Sequence, residues 1–490
     1  MRYKILSVFA ALAVISACGD LTSINQNPNG PSDVPPPSIL PSVIQTLVNN
    51  VDGVTSLNIR GGGLWVQYYS EIQYRDEDKY LVRSGTSGGW GLYNTALEDI
   101  QRMIRKGETS NAPNWSMVGR ILKSYTYSVM TDAMGDLPYS EALKADTVLH
   151  PAYDTQQQIY DGMFADLAQA SSEFDSSASA IVFPTGDLMY GGNLRKWRRF
   201  ANSLRLRLAI HLSEVDPTKA ASEAAAAVAA AGGVFASNAD NAQLMYLASS
   251  PNRNPIYNDA RGRDDYGMSK TFVDSLTRWN DPRLPVFAQV NKDTIVANRT
   301  YQGLPNGLDN GDGPALFYIS RIGAYWRETA SAPMALLTYS EVLFLEAEAA
   351  ERGWIPGGSA AAATYYNNAI TASMQQYGIA APAITAYLAQ APVAYDAAGA
   401  NVTGHLQQIA YQKWVSLFMQ GMESWTEVRR TGVPALVPGP KAVLTSIPER
   451  LPYDDNEAVL NASNLAAAVA AQGFSQGNDI TAPLWFTGRQ

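Results

Sequence analysis

Hydrolysis of a glycosidic bond needs two carboxylates across a groove, roughly 5 to 10 Å apart. The densest supply of carboxylates in this chain is Glu341, Glu346, Glu348 and Glu351. Helical spacing scatters them around one rod, where a solvated or salt-bridged face explains them more simply than a catalytic pair. Metal-assisted chemistry needs clustered ligands, yet His150, His211 and His405 stand far apart and Cys18 is the one cysteine. Leu308-Asp309-Asn310-Gly311-Asp312-Gly313 has the look of a calcium loop. Leu308 takes the first ligand position of that frame and Ile319 the twelfth, so a polar turn is expected. Gly61-Gly62-Gly63 lacks the following lysine and hydroxyl residue of a phosphate loop and reads as a mobile lead into a helix near Leu64. No catalytic residue, metal or cofactor is expected, and the chain does not read as an enzyme.

Binding is better supplied. The chain carries 10 Trp and 26 Tyr, side chains whose apolar faces stack on sugar rings while their polar tips hydrogen-bond. Trp65, Tyr69 and Asp76 lie in one aromatic and acidic stretch, Trp90 and Tyr93 follow a Gly/Ser-rich segment, and Tyr325, Trp326 and Arg327 form a further cluster. Loops carry function more often than regular elements, which puts Trp90, Tyr325 and Trp326 first. Tyr69 and Tyr93 fall on expected helices, where an aromatic ring is often core.

Cys18 offers a different chemistry. Arg2 and Lys4 precede the apolar run Ile5 to Val14, which is too short to span a bilayer that needs roughly 20 residues. With Ser16 and Ala17 before Cys18, the segment resembles a bacterial lipobox: the thiol is acylated and the chain is cut before it. Several acyl chains then make a stable anchor. Residues 1–17 are therefore expected to be a lipoprotein signal peptide, 18–41 a lipidated tether rich in Pro, Gly and Asn, and 42–490 the folded body. The formal charge of −9 argues against nucleic acid as a partner.

The elements that must position these residues are helical. Val118, Ile121, Leu122, Tyr125 and Val129 recur at helical spacing, and Asp154 with Gln157 reads as a capping box before another amphipathic run. Leu194, Trp197, Ala201, Leu204 and Leu208 form a third stripe, flanked by Arg195, Lys196, Arg198, Arg199, Arg205 and Arg207, which are expected to salt-bridge to acidic neighbours. Pro333 is expected to open a long helix to Arg352. A second helix from Ala360 to Tyr377 completes a pair resembling a tetratricopeptide hairpin. The fold class is thus all-α, mainly helical, with such hairpins chiefly within 95–212 and 333–430, plus loop-rich stretches at 232–330 and 378–404.

In order along the chain stand Cys18, Asn27-Pro28-Asn29, Val118-Gly119-Arg120, Gly135-Asp136-Leu137-Pro138-Tyr139, Tyr190-Gly191-Gly192-Asn193, Phe200-Ala201-Asn202-Ser203-Leu204-Arg205, Asp281-Pro282-Arg283, Thr338-Tyr339-Ser340-Glu341, Glu427-Val428-Arg429-Arg430 and Ile447-Pro448-Glu449-Arg450. This series resembles the SusD/RagB family of nutrient-binding outer-membrane lipoproteins. The resemblance implies a SusD-like fold that captures an oligosaccharide or similar nutrient at the cell surface. It also implies delivery, as a hinged lid, to a SusC-like TonB-dependent transporter, with the protein lipid-anchored in the outer membrane. The rival reading is a surface-anchored helical glycoside hydrolase.

Overall fold

Helix α1 (Pro36–Asp52) starts on the Pro35-Pro36-Pro37 run. Proline has no N–H to lose in a first turn and its fixed φ suits that position. The last residues of the expected tether are therefore helical, and Ile39, Leu40, Val43 and Leu47 bury one face of α1. The computed structural model describes residues 34–53, 57–82, 89–144, 147–177, 182–183, 185–395 and 402–489. Cys18, the signal segment and the tether as far as residue 33 lie outside the described residues.

Helices α2 (Glu98–Thr109), α3 (Pro113–Met134) and α4 (Gln156–Glu173) pack in succession. Helices α5 (Leu194–His211) and α6 (Pro217–Ala229) make the next hairpin, and α7 (Tyr339–Glu351) with α8 (Gly358–Gln376) a third. Helices α9 (Val402–Ser416) and α10 (Gly421–Thr431) close the bundle. These are the expected tetratricopeptide-like pairs, and the molecule is mainly helical. The strands are short: β1 (Tyr69–Glu71) pairs antiparallel with β3 (Tyr266–Met268), and β2 (Ala242–Leu244) with β4 (Met334–Leu337).

Three local expectations need correction. The capping box is Thr155 with Gln158, one residue later than expected: Gln158 N donates to Thr155 Oγ1 at 3.2 Å and Thr155 N to Gln158 Oε1 at 2.9 Å. Asp154 instead accepts from Tyr139 N and Ser140 N, at 3.0 and 2.7 Å. Pro333 leads not into a helix but into β4, because Met334 to Leu337 find a partner strand, and α7 begins only where Thr338 accepts from Glu341 N. Gly61-Gly62-Gly63 is no mobile lead either. It belongs to a π-helical turn, Asn58–Gly63, packed backbone to backbone on the start of α10. A Cβ on Gly62 would lie 2.1 Å from Gly421 O, and one on Gly421 would lie 2.4 Å from Asn58 O. Only glycine permits that approach.

Between the helices runs a buried ionic network. Arg207 on α5 donates to both carboxylate oxygens of Glu341 on α7, at 2.6 and 2.7 Å. Arg430 spans Glu348 and Glu427, each at 2.7 Å, and Lys413 Nζ lies 2.6 Å from Glu427. His211 stands 3.0 Å from both Asp132 and Glu423. Burial opposes the imidazolium, but Glu423 and Asp132 hold the His211 pKa up at about 10. Of the expected basic face, Arg199 pairs with Asp240 at 2.8 Å and Arg205 with Glu223 at 2.6 Å. Asn202 donates to the carbonyls of Ala231 and Gly233, as a polar residue inside a helix interface must.

Candidate ligand-binding site

The turn that ends α3 sets one aromatic cluster. Asp136 Oδ1 accepts from Gln156 N at 2.8 Å, and Leu137 and Asp154 exchange backbone hydrogen bonds of 3.2 and 2.9 Å. That bridge fixes Tyr153 beside the turn. Tyr93, on the π-helical turn Tyr93–Leu97 that leads into α2, donates its hydroxyl to Pro138 O at 2.5 Å. Tyr453 donates to Asp136 O at 2.8 Å and lies beneath the Arg450 guanidinium, 4.5 Å from its ring centroid.

Trp90 completes the group. Its ring centroid is 5.2 Å from that of Tyr93 and 6.2 Å from those of Tyr153 and Tyr453, with Trp90 and Tyr153 stacked at 29°. Trp90, Tyr93 and Tyr153 are half-buried, whereas Tyr453 is buried as their floor. Tyr153 donates to Glu457 Oε2 at 2.8 Å, and burial with that neighbouring carboxylate pushes its phenol pKa up. The result is a shelf of π-faces edged by a carboxylate and phenol oxygens. That combination has the chemistry a sugar ring requires, a π-face for its C–H side and oxygens for its hydroxyls.

The structure thus brings Trp90 and Tyr93 together, and adds Tyr153 and Tyr453, which sequence reasoning missed. The available signal was position: Tyr153 stands two residues before the observed capping box, and Tyr453 three residues after the Ile447-to-Arg450 block. Tyr325 is also half-buried, against Tyr377 at 5.4 Å and Trp326 at 4.9 Å, but the cavity beside it is of water size, about 20 Å³.

The remaining sequence candidates are placed otherwise. Trp65 is sealed in the core, edge-on to Trp425 at 4.8 Å, with its indole N–H donating to Glu77 O. Tyr69 lies in β1 and donates to Met419 Sδ at 3.2 Å. Trp326 is buried against Phe418. Arg327 is spent on Asp264. Asp76 is half-exposed, with Lys79 Nζ 3.9 Å away. Trp65, Tyr69 and Trp326 are thus buried in this structure rather than exposed on loops. Their burial follows from partners that the local sequence does not display.

Chemistry by acid pairs or metals finds little foothold. Glu341 and Glu348 are engaged by arginine, and Glu351 accepts from Tyr395 and Ser359 and pairs with His405. Glu346 is buried, and desolvation pushes its carboxyl up to about 8. The ligand atoms of His211, Glu423 and Glu427 lie within 4.8 Å of one another. Arg207, His211 and Lys413 already supply Glu423 and Glu427 with positive charge, so a metal would have to displace it. In the calcium-like loop a guanidinium takes the cation's place: Arg75 Nη1 donates to Asp309 O at 2.7 Å and Asp312 O at 3.0 Å. A groove of about 470 Å³ opens at the end of α10 between Arg429, Leu436, Ser446 and Arg489, but it has no aromatic wall.

Among the described residues no helix is long and apolar enough to cross a membrane. No curated protein matches the chain. Among solved structures, a chitin-binding protein is 29% identical, with a TM-score of 0.80 over 92% of this chain and 99% of its own. A SusD homologue from Bacteroides fragilis is 27% identical, TM-score 0.81, over 94% of this chain and 100% of its own. A chitin-binding SusD homologue from Flavobacterium johnsoniae is 26% identical, TM-score 0.79, over 92% and 98%. Residues 28–454 match the family model described as SusD-like, starch-binding and associating with the outer membrane. With its helical hairpins, its ordered motifs and that match over most of its length, the chain belongs to the SusD-like family.

Proposed function

We propose that this protein is a surface lipoprotein that binds an oligosaccharide on the Trp90, Tyr93 and Tyr153 shelf. It hands the glycan, as a hinged lid, to a SusC-like TonB-dependent transporter in the outer membrane. The observation that carries the reading is the half-exposed aromatic shelf edged by Glu457, on a chain whose structural relatives include chitin-binding proteins. Chito-oligosaccharides are the first ligands to try, followed by starch oligomers. Cys18 supplies the lipid anchor in this reading, which keeps the lid beside its barrel while it swings. Hydrolysis is disfavoured because Glu341 and Glu348 are locked in ion pairs with arginines. Titrating the purified protein with a glycan panel tests the reading: saturable binding with no released product supports it, and product release or absence of binding across the panel overturns it.

A further inference from the structure

The groove of about 470 Å³ at the end of α10 shares no residue with the aromatic shelf. Arg429 lines it, and its buried guanidinium is held between two rings, 3.5 Å from the Trp425 centroid and 5.1 Å from that of Phe486. Its hydrogen bonds go to neutral oxygens: Nε donates to Trp425 O at 3.2 Å, Nη1 to Glu449 O at 2.8 Å and Nη2 to Thr426 Oγ1 at 3.2 Å. Arginine has five N–H donors, so one is left on each terminal nitrogen. Among the described residues no carboxylate stands at ion-pair distance from Arg429, whereas Arg207, Arg430 and Arg489 each have one. Glu449 and Asp132 act on Arg429 only from farther off, and both are engaged: Glu449 accepts from both terminal nitrogens of Arg489 at 2.8 Å, and Asp132 stands 3.0 Å from His211. Burial outweighs them and pushes the Arg429 pKa down to about 10. A buried charge with no counter-ion is costly, and an anion in the groove relieves that cost.

The other walls define what carries the anion. The last carbonyls of a helix repel negative charge, but those of α10 are covered. Glu427 O accepts from Thr431 Oγ1 at 2.7 Å, Val428 O from Gly432 N at 2.8 Å and Arg429 O from Arg489 Nη2 at 2.9 Å. Pro434, Leu436 and Ile447 line the groove half-buried, while Thr445 and Ser446 are exposed at its edge and keep that end wet. Aliphatic walls without a ring suit an aliphatic body better than a sugar, whose C–H face needs an aromatic platform. The volume falls in the range of small-ligand pockets.

We infer that this groove is a second ligand site, and that it takes a small aliphatic carboxylate. Arg429 meets the two carboxylate oxygens with its two spare N–H groups, in the fork geometry that favours arginine over lysine. The hydrocarbon body lies on Pro434, Leu436 and Ile447. The inference stands on the groove alone and does not depend on glycan binding at the shelf.

The test titrates the purified protein with 4-methylpentanoate, with 4-methylpentanamide, with glucuronate and with inorganic phosphate, followed by ligand-observed NMR. The acid binds saturably, and the amide binds about tenfold or more weakly, since it lacks the charge that Arg429 pairs with. Arg429→Lys keeps the charge but loses the fork, and weakens binding of the acid about tenfold. Because Arg429 also braces its own turn, Ser446→Asp is the second variant. It supplies the groove with a carboxylate of its own and lowers affinity for the acid. Its thermal midpoint and its glycan titration keep wild-type values, because Ser446 is exposed and lies outside the shelf. Equal binding of acid and amide, wild-type affinity in Ser446→Asp, or no saturable binding of the acid overturns the site. Glucuronate or phosphate bound as tightly as the acid overturns the aliphatic assignment. A protein that binds the acid but no glycan overturns the shelf and supports the groove.

Discussion

Arg207 meets Glu341 through two parallel hydrogen bonds, Nε to Oε1 at 2.6 Å and Nη2 to Oε2 at 2.7 Å, with neither side chain open to water. The pair ties α5 to α7, and Arg207 Nε also lies 3.4 Å from Glu423 on α10. One guanidinium therefore neutralises acids from two helices. Removing one partner of a buried pair strands the other charge. Arg207→Met is expected to lower stability by about 3 to 5 kcal/mol, read as a lowered midpoint in urea. The double variant Arg207→Met/Glu341→Gln should recover part of that loss, because it strands less charge.

The same network sets a pH window. Burial opposes ionisation of Glu348, Glu423 and Glu427, but Arg430 and Lys413 hold Glu348 and Glu427, and Arg207 and His211 hold Glu423, down at about 2. Their folded pKa values lie below the ordinary 4.5, so their stabilisation is full above that value and is lost as pH falls towards 2. His211 is displaced the other way, from 6.5 to about 10, so its contribution is full below pH 6.5 and is lost as pH rises towards 10. Burial, with Glu77 and Asp78 adding to it, pushes the Glu71 carboxyl from 4.5 to about 10, and its contribution fades over that span. Thermal midpoints measured from pH 3 to 10 should therefore fall on both flanks, and Glu71→Gln should flatten the alkaline one. An alkaline limb identical in Glu71→Gln would refute the assignment.

The backbone contact between Gly62 and Gly421 makes a steric prediction. A methyl at either position would meet a carbonyl oxygen well inside contact distance, and the π-helical turn would have to part from α10. Gly62→Ala is expected to cost about 1 to 3 kcal/mol or more. Gly353→Ala, with φ of +75° but nothing within 4 Å of an added Cβ, should cost only backbone strain, roughly 1 kcal/mol. Denaturation of the two variants in parallel separates crowding from strain.

Much of the helical frame was legible because an apolar face repeating at 3.6 residues is a local signal. The stripes beginning at Val118 and Leu194 lie on α3 and α5. What escaped depends on remote partners. Met334 to Leu337 reads as the start of a helix until Ala242 to Leu244 pair with it. Trp65 and Trp90 look alike as residues, yet Trp425 covers the first, while the second lies half-open beside Tyr153. The Glu341-to-Glu351 acids read as a solvated or salt-bridged face, and local sequence could not choose between the two because the arginine partners of Glu341 and Glu348 lie on α5 and α10. The SusD-like family was nevertheless legible, since it rests on the order of short motifs rather than on who covers whom.

The shelf itself makes the last prediction. Trp90 touches Tyr93 and Tyr153 at once, so removing its ring takes away a stacking face and also frees its neighbours to move. Trp90→Ala is expected to weaken oligosaccharide binding by about tenfold or more, the scale of an aromatic anchor of roughly 2 kcal/mol. Tyr153→Phe keeps the ring but drops the hydroxyl that Glu457 holds at 2.8 Å, so it should weaken binding by less. Because Trp90 and Tyr153 are in contact, the double variant Trp90→Ala/Tyr153→Phe should lose less than the sum of the two single losses. Tyr325→Ala serves as the comparison, since the cavity beside Tyr325 is of water size. Isothermal titration of the four variants with one oligosaccharide decides the point: a loss confined to Tyr325→Ala would move the site to the Tyr325 and Tyr377 pair, because the two aromatic groups are built from separate segments.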